Sequence, residues 1–491
     1  MASELLQRDD IQALILRAYT ELRDVAYVFL EIADPAQFRI WLAQVMRHVT
    51  TGDQRPQDQG RNLHGCAFNI AFTRHGLRKL AVNPDGVDGY DGFGLEFKEG
   101  LVTEQRSRFL GDVGTNDPWL WQWGGRAGGT SEARIDCLCL IFGNEGDVLN
   151  AWAALQLDPH AASERHVIEG YLSNDGKEHF GFRDGISQPI IRFTKRDYDT
   201  TLPRDRALHV VEAGEFILGY ENENFVMPVS PAVNGRRDPR NRLGPLVRRS
   251  RWGRSQQVGN LKDFGRNGTY LVLRQIRQYV GRFLQFAHDT AGADAHAQHL
   301  LQARMVGRWR SGAPLTEHPD NDPYPGRAPE SLNDFRFDPL DRSTFRCPAG
   351  AHIRRGNPRD ATSEIDGQAR AVERVNFHRI IRRGRLYGPR VANAPQNNAA
   401  IDAVDRGLMF LCLNTDIRRQ FEFVQQTWIN NTKFGGLIDE VDPLVGQGGC
   451  FTVQRPEGNE RVHDLPAFVT VVGGGYFFMP GIQALHCLAD A

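Results

Sequence analysis

At 491 residues, with 41% hydrophobic and 24% charged side chains, the chain is long enough to bury a large core without disulfide or metal staples. Its 59 basic and 60 acidic residues leave a formal charge of −1, so no overall field points to nucleic acid or an anionic membrane, and a small molecule is the expected partner. No apolar run reaches the roughly 20 residues of a membrane helix. At the amino terminus Asp9, Asp10, Arg17 and Glu21 interrupt Ile11, Leu14 and Ile15, which does not read as a signal peptide, so a cytoplasmic setting is expected.

One unit, an apolar β-type run followed by an amphipathic helix, occurs four times. Ala26 to Ile32 leads into Asp34-Pro35, a cap with proline at the first helical position, and then Phe38, Trp41, Leu42 and Val45 at helical spacing. Ile135 to Phe142 precedes Val148, Leu149, Trp152 and Leu155; Thr269 to Gln278 precedes Val280, Phe283, Leu284 and Phe286. Leu408 to Asn414 runs into the cap Thr415-Asp416 and then Ile417, Phe421, Val424 and Trp428. Two such pairs, one per half, suit a duplicated α+β sandwich, and pattern alone leaves an α/β protein with four unrelated crossovers equally open.

Seven cysteines with no CxxC pair read as free thiols of a reducing compartment, and the spacing of Cys137 and Cys139 puts both on one strand face. Between the second and third units, Met227 to Lys262 is rich in Pro, Gly, Asn and Arg and reads as a long surface excursion. Its basic run, Arg236 to Arg254, reads as a solvated loop, with an anionic ligand as the sharper alternative. Ser311 to Ser331 carries enough Pro, Gly, Asn and Asp to exclude regular structure.

Three segments carry possible chemistry. In HFGFRDGISQP (His179 to Pro189), Asp184 sits on a glycine-flanked turn that lets the backbone approach a planar ligand, either as an acid/base carboxylate or as an ordinary Asx-turn. In RCPAGAHIRRGNPRD (Arg346 to Asp360), His352 is held in a turn-rich context beside Arg354 and Arg355; an imidazole so placed can ligate iron through one nitrogen while the other is oriented by an acceptor. In NFHRIIRRGRLYGP (Asn376 to Pro389), alternation sends Arg382 and Arg383 to opposite faces, and a buried guanidinium is costly unless it meets an anion. His378 in the same stretch is a rival metal ligand.

Taken together and in this order, these segments resemble the dye-decolourising peroxidase family, most closely its larger members, often called the C or V type. GTYLVLRQ (Gly268 to Gln275), MVGRWRSGAPL (Met305 to Leu315), RGLMFLCLNTDIRRQFEFVQQTW (Arg406 to Trp428) and GGGYFFMPG (Gly473 to Gly481) extend the resemblance over nearly the whole chain. It implies an α+β fold of two ferredoxin-like halves, residues 1–205 and 206–491, with haem b held mainly by the second. It also implies His352 as the proximal iron ligand, Asp184 as the distal acid/base group and Arg382 as the distal arginine stabilising the ferryl intermediate.

The 30 residues from His352 to Arg382 imply an insertion at Ala361 to Arg374. For the acceptor of the second His352 nitrogen the resemblance favours Asp442, ahead of Asp416 and Glu440. It further implies Ile186, Ser187, Leu408 and Phe410 against the haem, the last two as an apolar wall or as plain core, and Arg308 on a haem propionate.

Gly384 departs from those members that carry an asparagine two positions past the arginine. Trp252, Trp309, Tyr324 and Tyr387 are the candidates for a surface residue relaying electrons from bulky donors. The expected activity is reduction of hydrogen peroxide with oxidation of aromatic, phenolic or dye-like donors, in a monomer or a homo-oligomer. The alternatives are a haem-binding, iron-releasing protein of the deferrochelatase kind that uses the same pocket, and an arginine-rich protein that binds an anionic partner.

Overall fold

The computed structural model describes residues 6–54, 63, 65–126, 135–199, 205–249, 255–323, 331–361, 368–391 and 398–490. Trp252, Tyr324 and part of the expected insertion, 362–367, lie outside them.

Nine strands share one antiparallel sheet: β1 Asp24–Ile32, β2 Ala67–Phe72, β3 Cys137–Gly143, β4 Ala162–Tyr171, β5 Thr269–Gln278, β6 Ile381–Arg382, β7 Arg385–Tyr387, β8 Gly407–Asn414 and β9 Val469–Met479. The first four lie in the order β2-β3-β1-β4. The later ones lie in the order β9-β5-β8, with β6 and β7 both on the far edge of β8. Each half therefore repeats the ferredoxin-like order, in which the first and third strands are central. Helices α1 Pro35–Val45 and α2 Asp147–Ala154 cross between strands of the first half, and α3 Val280–Ala291 and α4 Ala295–Val306 come after β5.

The halves meet edge to edge through single residue pairs, Phe72↔Phe478 and Tyr171↔Leu386, so the sheet closes into a barrel and leaves no long open edge. Alternation along the strands sorts the apolar residues into two cores. Tyr27, Phe29, Leu140, Phe142, Leu271, Leu273, Met409, Leu411 and Phe477 point inward and fill the barrel. Val28, Leu30, Cys137, Cys139 and Ile141 face outward beneath Phe38, Trp41, Leu42 and Trp152 of α1 and α2 and beneath the C-terminal helix Ile482–Asp490. All seven thiols are unpaired.

Local chemistry sets the helix starts. Asp34 Oδ1 accepts the main-chain N–H groups of Ala36 at 2.8 Å and Gln37 at 3.2 Å, with Pro35 at the first helical position. Asp416 Oδ1 likewise accepts from the Arg419 N–H at 2.9 Å.

Beyond Asp416 the chain departs from the expected helix. Over Arg418–Glu422 and Val424–Ile429 the turns are wide: the Glu422 N–H reaches the Ile417 carbonyl and the Asn430 N–H the Gln425 carbonyl, each five residues back at 2.9 Å. The extra residue per turn swings Phe421, Val424, Gln425, Trp428 and Ile429 onto one cavity.

The excursion after residue 227 is also more ordered than its composition predicts. Ala232–Asn234, Pro245–Arg249 and Ser255–Asp263 form a three-stranded antiparallel sheet. Within it Arg240 and Arg242 pair with Asp490 at 3.3 and 2.8 Å, so part of the basic run is neutralised inside the chain.

Candidate active site

The outward face of the second half's sheet carries Arg274 opposite Phe410 and Ile276 opposite Leu408 in register. Above it, the wide helix, the segment after Asp442 and the His179 to Pro189 loop from the first half enclose a cavity of about 570 Å³. A cavity of roughly 300–1,000 Å³ suits a cofactor-sized ligand. Asp184, Ile186, Ser187, Arg308, His352, Arg382, Leu408 and Phe410 all line it, and Asp442 lies directly behind His352.

His352 opens the short helix α5, His352–Gly356. Its Nδ1 donates to Asp442 Oδ2 at 2.8 Å, while Asp442 Oδ1 accepts from the Leu444 and Val445 N–H groups at 2.9 and 3.0 Å. The carboxylate is thereby fixed, and Nε2 is left toward the cavity. Burial pulls the imidazole pKa down, but the charge and hydrogen bond of Asp442 outweigh it, so the net shift is upward. Asp442 itself is held below the usual carboxylate range, because His352, the Val445 N–H and Arg355 together overcome its burial.

Neither rival acceptor reaches His352. Glu440 accepts from the Thr452 N–H at 2.9 Å and from the Thr452 hydroxyl, and Asp416 is a helix cap. The two arginines after His352 are not a solvated basic group. Arg355 is fully buried and donates to the carbonyls of Trp428 (3.0 Å), Asn431 (2.9 Å) and Glu440 (2.8 Å), tying α5 to the segment that presents Asp442. Arg354 donates to the Cys347 carbonyl at 2.9 Å and pairs with Asp341 at 3.1 Å.

Gly181 and Gly185, at φ of +94° and +76°, take the left-handed conformations that bend the loop around Asp184. Nothing crowds the space where a Cβ at Gly185 would sit, so backbone conformation selects that glycine. Asp184 Oδ1 accepts from the Gly185 N–H at 2.6 Å and from Arg382 Nη1 at 3.1 Å, and Oδ2 makes no hydrogen bond among the described residues. Burial raises this carboxyl, but Arg382, the Gly185 N–H and His352 bring it net below its ordinary value.

The Arg382 main chain is fixed by Gln188 Oε1 at 3.0 Å. Arg383 points to the other side of the sheet, as alternation requires, yet among the described residues it meets no anion. Its Nε and Nη2 donate to the Leu14 and Ile15 carbonyls at 2.9 and 3.0 Å, and burial drops its pKa to about 9.

Gly384 has a steric reason for carrying no side chain, since a Cβ there would come within 2.8 Å of the Met409 carbonyl oxygen. Gly384→Asn is expected to cost about 1–3 kcal/mol by overpacking, read as a lower denaturant midpoint at unchanged slope.

His378 lines the cavity, but its Nδ1 is bound to the Arg419 carbonyl at 2.5 Å and its ring stacks on Phe423 at 3.7 Å. Trp309 and Tyr387, expected at the surface, are buried: Trp309 Nε1 donates to the His318 carbonyl at 2.7 Å and Tyr387 Oη to Asp405 at 3.2 Å. Arg308 is committed to the carbonyls of Gly312 and Leu332 at 2.8 and 2.7 Å.

Two cavity arginines escaped sequence reasoning. Arg359 donates to the Asn333 and Phe335 carbonyls at 2.9 and 2.8 Å, and Arg379 to the Leu208 carbonyl at 2.9 Å. Among the described residues, none of Arg308, Arg359 and Arg379 is hydrogen-bonded to a carboxylate. Burial first, then mutual and Arg382 repulsion, lowers all three, with Arg308 and Arg379 brought to about 10. The Asn357 Oδ1, in the same cavity wall, is buried with no hydrogen-bond partner among the described residues. This end of the cavity holds excess positive charge away from water, which suits an anionic group. The run RGNPRD gives only a weak signal for Arg359, and Arg379 is one of four arginines in its stretch, with Arg382, Arg383 and Arg385.

A family model described as the DyP dimeric alpha+beta barrel domain matches residues 10–160. A multifunctional dye peroxidase of an Amycolatopsis species is 33% identical over 98% of this chain and 95% of its own length. A dye-decolorizing peroxidase of Mycena epipterygia is 31% identical over 99% of this chain and 88% of its own. The solved structure of an ancestral D-type dye decolorizing peroxidase superposes with a TM-score of 0.75 at 30% identity, covering 98% of this chain and 99% of that one. Identity at this level, sustained from end to end on the same fold, means that the chain belongs to the dye-decolourising peroxidases and is a haem-dependent peroxidase.

Proposed function

We propose that this peroxidase binds haem b in the cavity, with His352 as the iron ligand, Asp184 as the acid/base group and Arg382 as the fixed cation beside the reacting oxygens. Aromatic, phenolic or dye-like donors supply the electrons. One observation carries the reading: two preorganised pairs, His352–Asp442 and Asp184–Arg382, share one cavity of cofactor size. The residues present fit the group. The His352 ring faces the cavity, and Arg359 and Arg379 offer buried positive charge to the two carboxylates of a porphyrin.

When bound, haem supplies the redox-active iron on which the peroxide bond is cleaved. Asp442 holds the Nδ1–H of His352, which fixes the ring's tautomer and raises its basicity toward the metal. Asp184 Oδ2, unbonded and carried by a carboxylate of lowered pKa, takes the proton from the inner peroxide oxygen and returns it to the outer one. Arg382 keeps Oδ1 in place and sets positive charge where negative charge develops. Leu408 and Phe410 limit that space to small molecules. The seven unpaired thiols support a reducing, cytoplasmic setting, and among the described residues no helix is long and apolar enough to cross a membrane.

The test is an absorption spectrum of the haem-loaded protein before and after one equivalent of hydrogen peroxide. A Soret band that changes rapidly and recovers when a phenolic donor is added is the expected result. A bound haem inert to peroxide, with protoporphyrin released instead, would replace this reading with iron release.

A further inference from the structure

Glu178 is a half-buried carboxylate in the cavity wall, six residues before Asp184, to which the proposed chemistry gives no part. Its Oε1 accepts the Phe182 N–H at 2.8 Å, and its Oε2 accepts the Phe180 N–H at 2.9 Å. Its own main chain closes the same turn, its N–H donating to the Phe182 carbonyl and its carbonyl accepting from the Gly181 N–H, both at 2.9 Å. The turn is also held from outside, where the rings of Phe180 and Phe182 pack on Phe283 of α3 at 4.6 and 6.4 Å. Asp184 comes directly after this turn, its N–H bound to the Gly176 carbonyl at 3.1 Å.

The carboxylate also reaches across the molecule. Gln278 Nε2, on β5 of the second half, donates to Glu178 Oε2 at 2.7 Å. The loop that carries Asp184 is thus pinned to the second half at Glu178–Gln278 and at Asp184–Arg382, beside the contacts of the His179 ring with the Tyr387 carbonyl and of Gln188 with the Arg382 N–H.

A carboxylate has two equivalent acceptor oxygens, and here both are used on main-chain donors of one tight turn. A glutamine has one acceptor and would turn its own N–H₂ toward one of those N–H groups, so it cannot reproduce the pattern. Leaving either N–H unpaired in this buried place would drive the turn to relax.

We propose that Glu178 is a positioning residue for Asp184: its carboxylate fixes the turn Glu178–Phe182 and anchors it to Gln278, so that Asp184 is delivered to Arg382 at reacting distance. The inference rests on the role proposed above for Asp184. Glu178 touches no reacting atom, and it acts through the geometry of the loop. A displacement of about 1 Å at a reacting group can cost on the order of 100-fold in rate.

Glu178→Gln and Gln278→Leu are the variants, the second removing only the cross-link in case the first folds poorly. Hydrogen exchange on the haem-free proteins should show the Phe180 and Phe182 amides exchanging at least about 10-fold faster in Glu178→Gln, with the barrel strands unchanged. In the haem-loaded proteins, kcat/KM for peroxide should fall about 10- to 100-fold while kcat/KM for the donor and the Soret position hold. A merely structural role would lower both constants together with haem content. Unchanged exchange at the two amides would overturn the anchor, and faster exchange with a wild-type peroxide constant would overturn the positioning role. Asp184→Asn measured alongside separates the failures. If it is slow while Glu178→Gln is not, only this inference falls; if it too reacts at the wild-type rate, the reading of Asp184 is what has failed.

Discussion

Asp184→Asn is expected to lower the second-order rate constant for reaction with hydrogen peroxide by about 10²- to 10⁴-fold while leaving haem bound. The substitution is nearly isosteric, and its carbonyl oxygen can still accept the Gly185 N–H that Oδ1 accepts at 2.6 Å, so the turn has little reason to move. What disappears is the basic site. An amide does not take up a proton in this pH range, so the inner peroxide oxygen would have to lose its proton to water in a cavity walled by Ile186, Leu408 and Phe410. His352 and Asp442 are untouched, which is why the Soret band should persist. Stopped-flow mixing with peroxide, normalised to haem content, reads the effect. A constant within about threefold of wild type would remove Asp184 from the mechanism.

The parts of this site legible in the sequence are those whose chemistry is local. Asp34-Pro35 announces its helix because a cap needs only its own next few residues, and Gly181 and Gly185 announce a bent turn because left-handed φ values are needed there. Alternation correctly parts Arg382 from Arg383, but it says nothing of what each meets: Arg383 finds the Leu14 and Ile15 carbonyls, 369 and 368 residues away, where an anion was expected. Barrel closure rests on single pairs such as Phe72↔Phe478, about which neither strand carries a local signal. The wide turns after Asp416 kept an ordinary helical period in the sequence, since one extra residue per turn is set by packing over the cavity. Glu178 and Arg379 stayed hidden for the same reason. A charged side chain in a polar stretch reads as solvated until its main-chain partners are seen.

The electrostatic frame of the site is visible only in the fold. His352 is raised and Asp442 lowered by each other, whereas Asp184 is lowered by a cation that comes from the other half of the chain. The His352–Asp442 pair is carried by segments that Arg355 ties together. The Asp184–Arg382 pair spans the two halves and depends on how the loop from the first is docked against β6. Substitutions at the docking contacts should therefore tell on the peroxide step before they tell on haem binding.

Arg382→Leu separates the two tasks given to that arginine. Removing a fixed cation from beside the developing charge should lower the peroxide rate constant by about 10²- to 10³-fold at neutral pH. The second effect is on its pH dependence. In the wild type burial pushes the Asp184 carboxyl up, and Arg382, the largest opposing influence, brings it net below its ordinary value of about 3.9. The carboxylate is then present across mildly acidic pH, and the rate should hold from neutrality down to about pH 4. Without Arg382 burial prevails and the pKa rises, so Asp184 is protonated at a higher pH and the rate falls as pH drops through that raised value. The acid limb should move upward, and rate constants measured from about pH 3 to 7 would show it. Arg382→Lys, which keeps the charge but not the planar fork, should leave the limb low and lose less of the plateau. A limb that stays in place in Arg382→Leu would mean that Asp184 is not the group whose protonation ends the reaction.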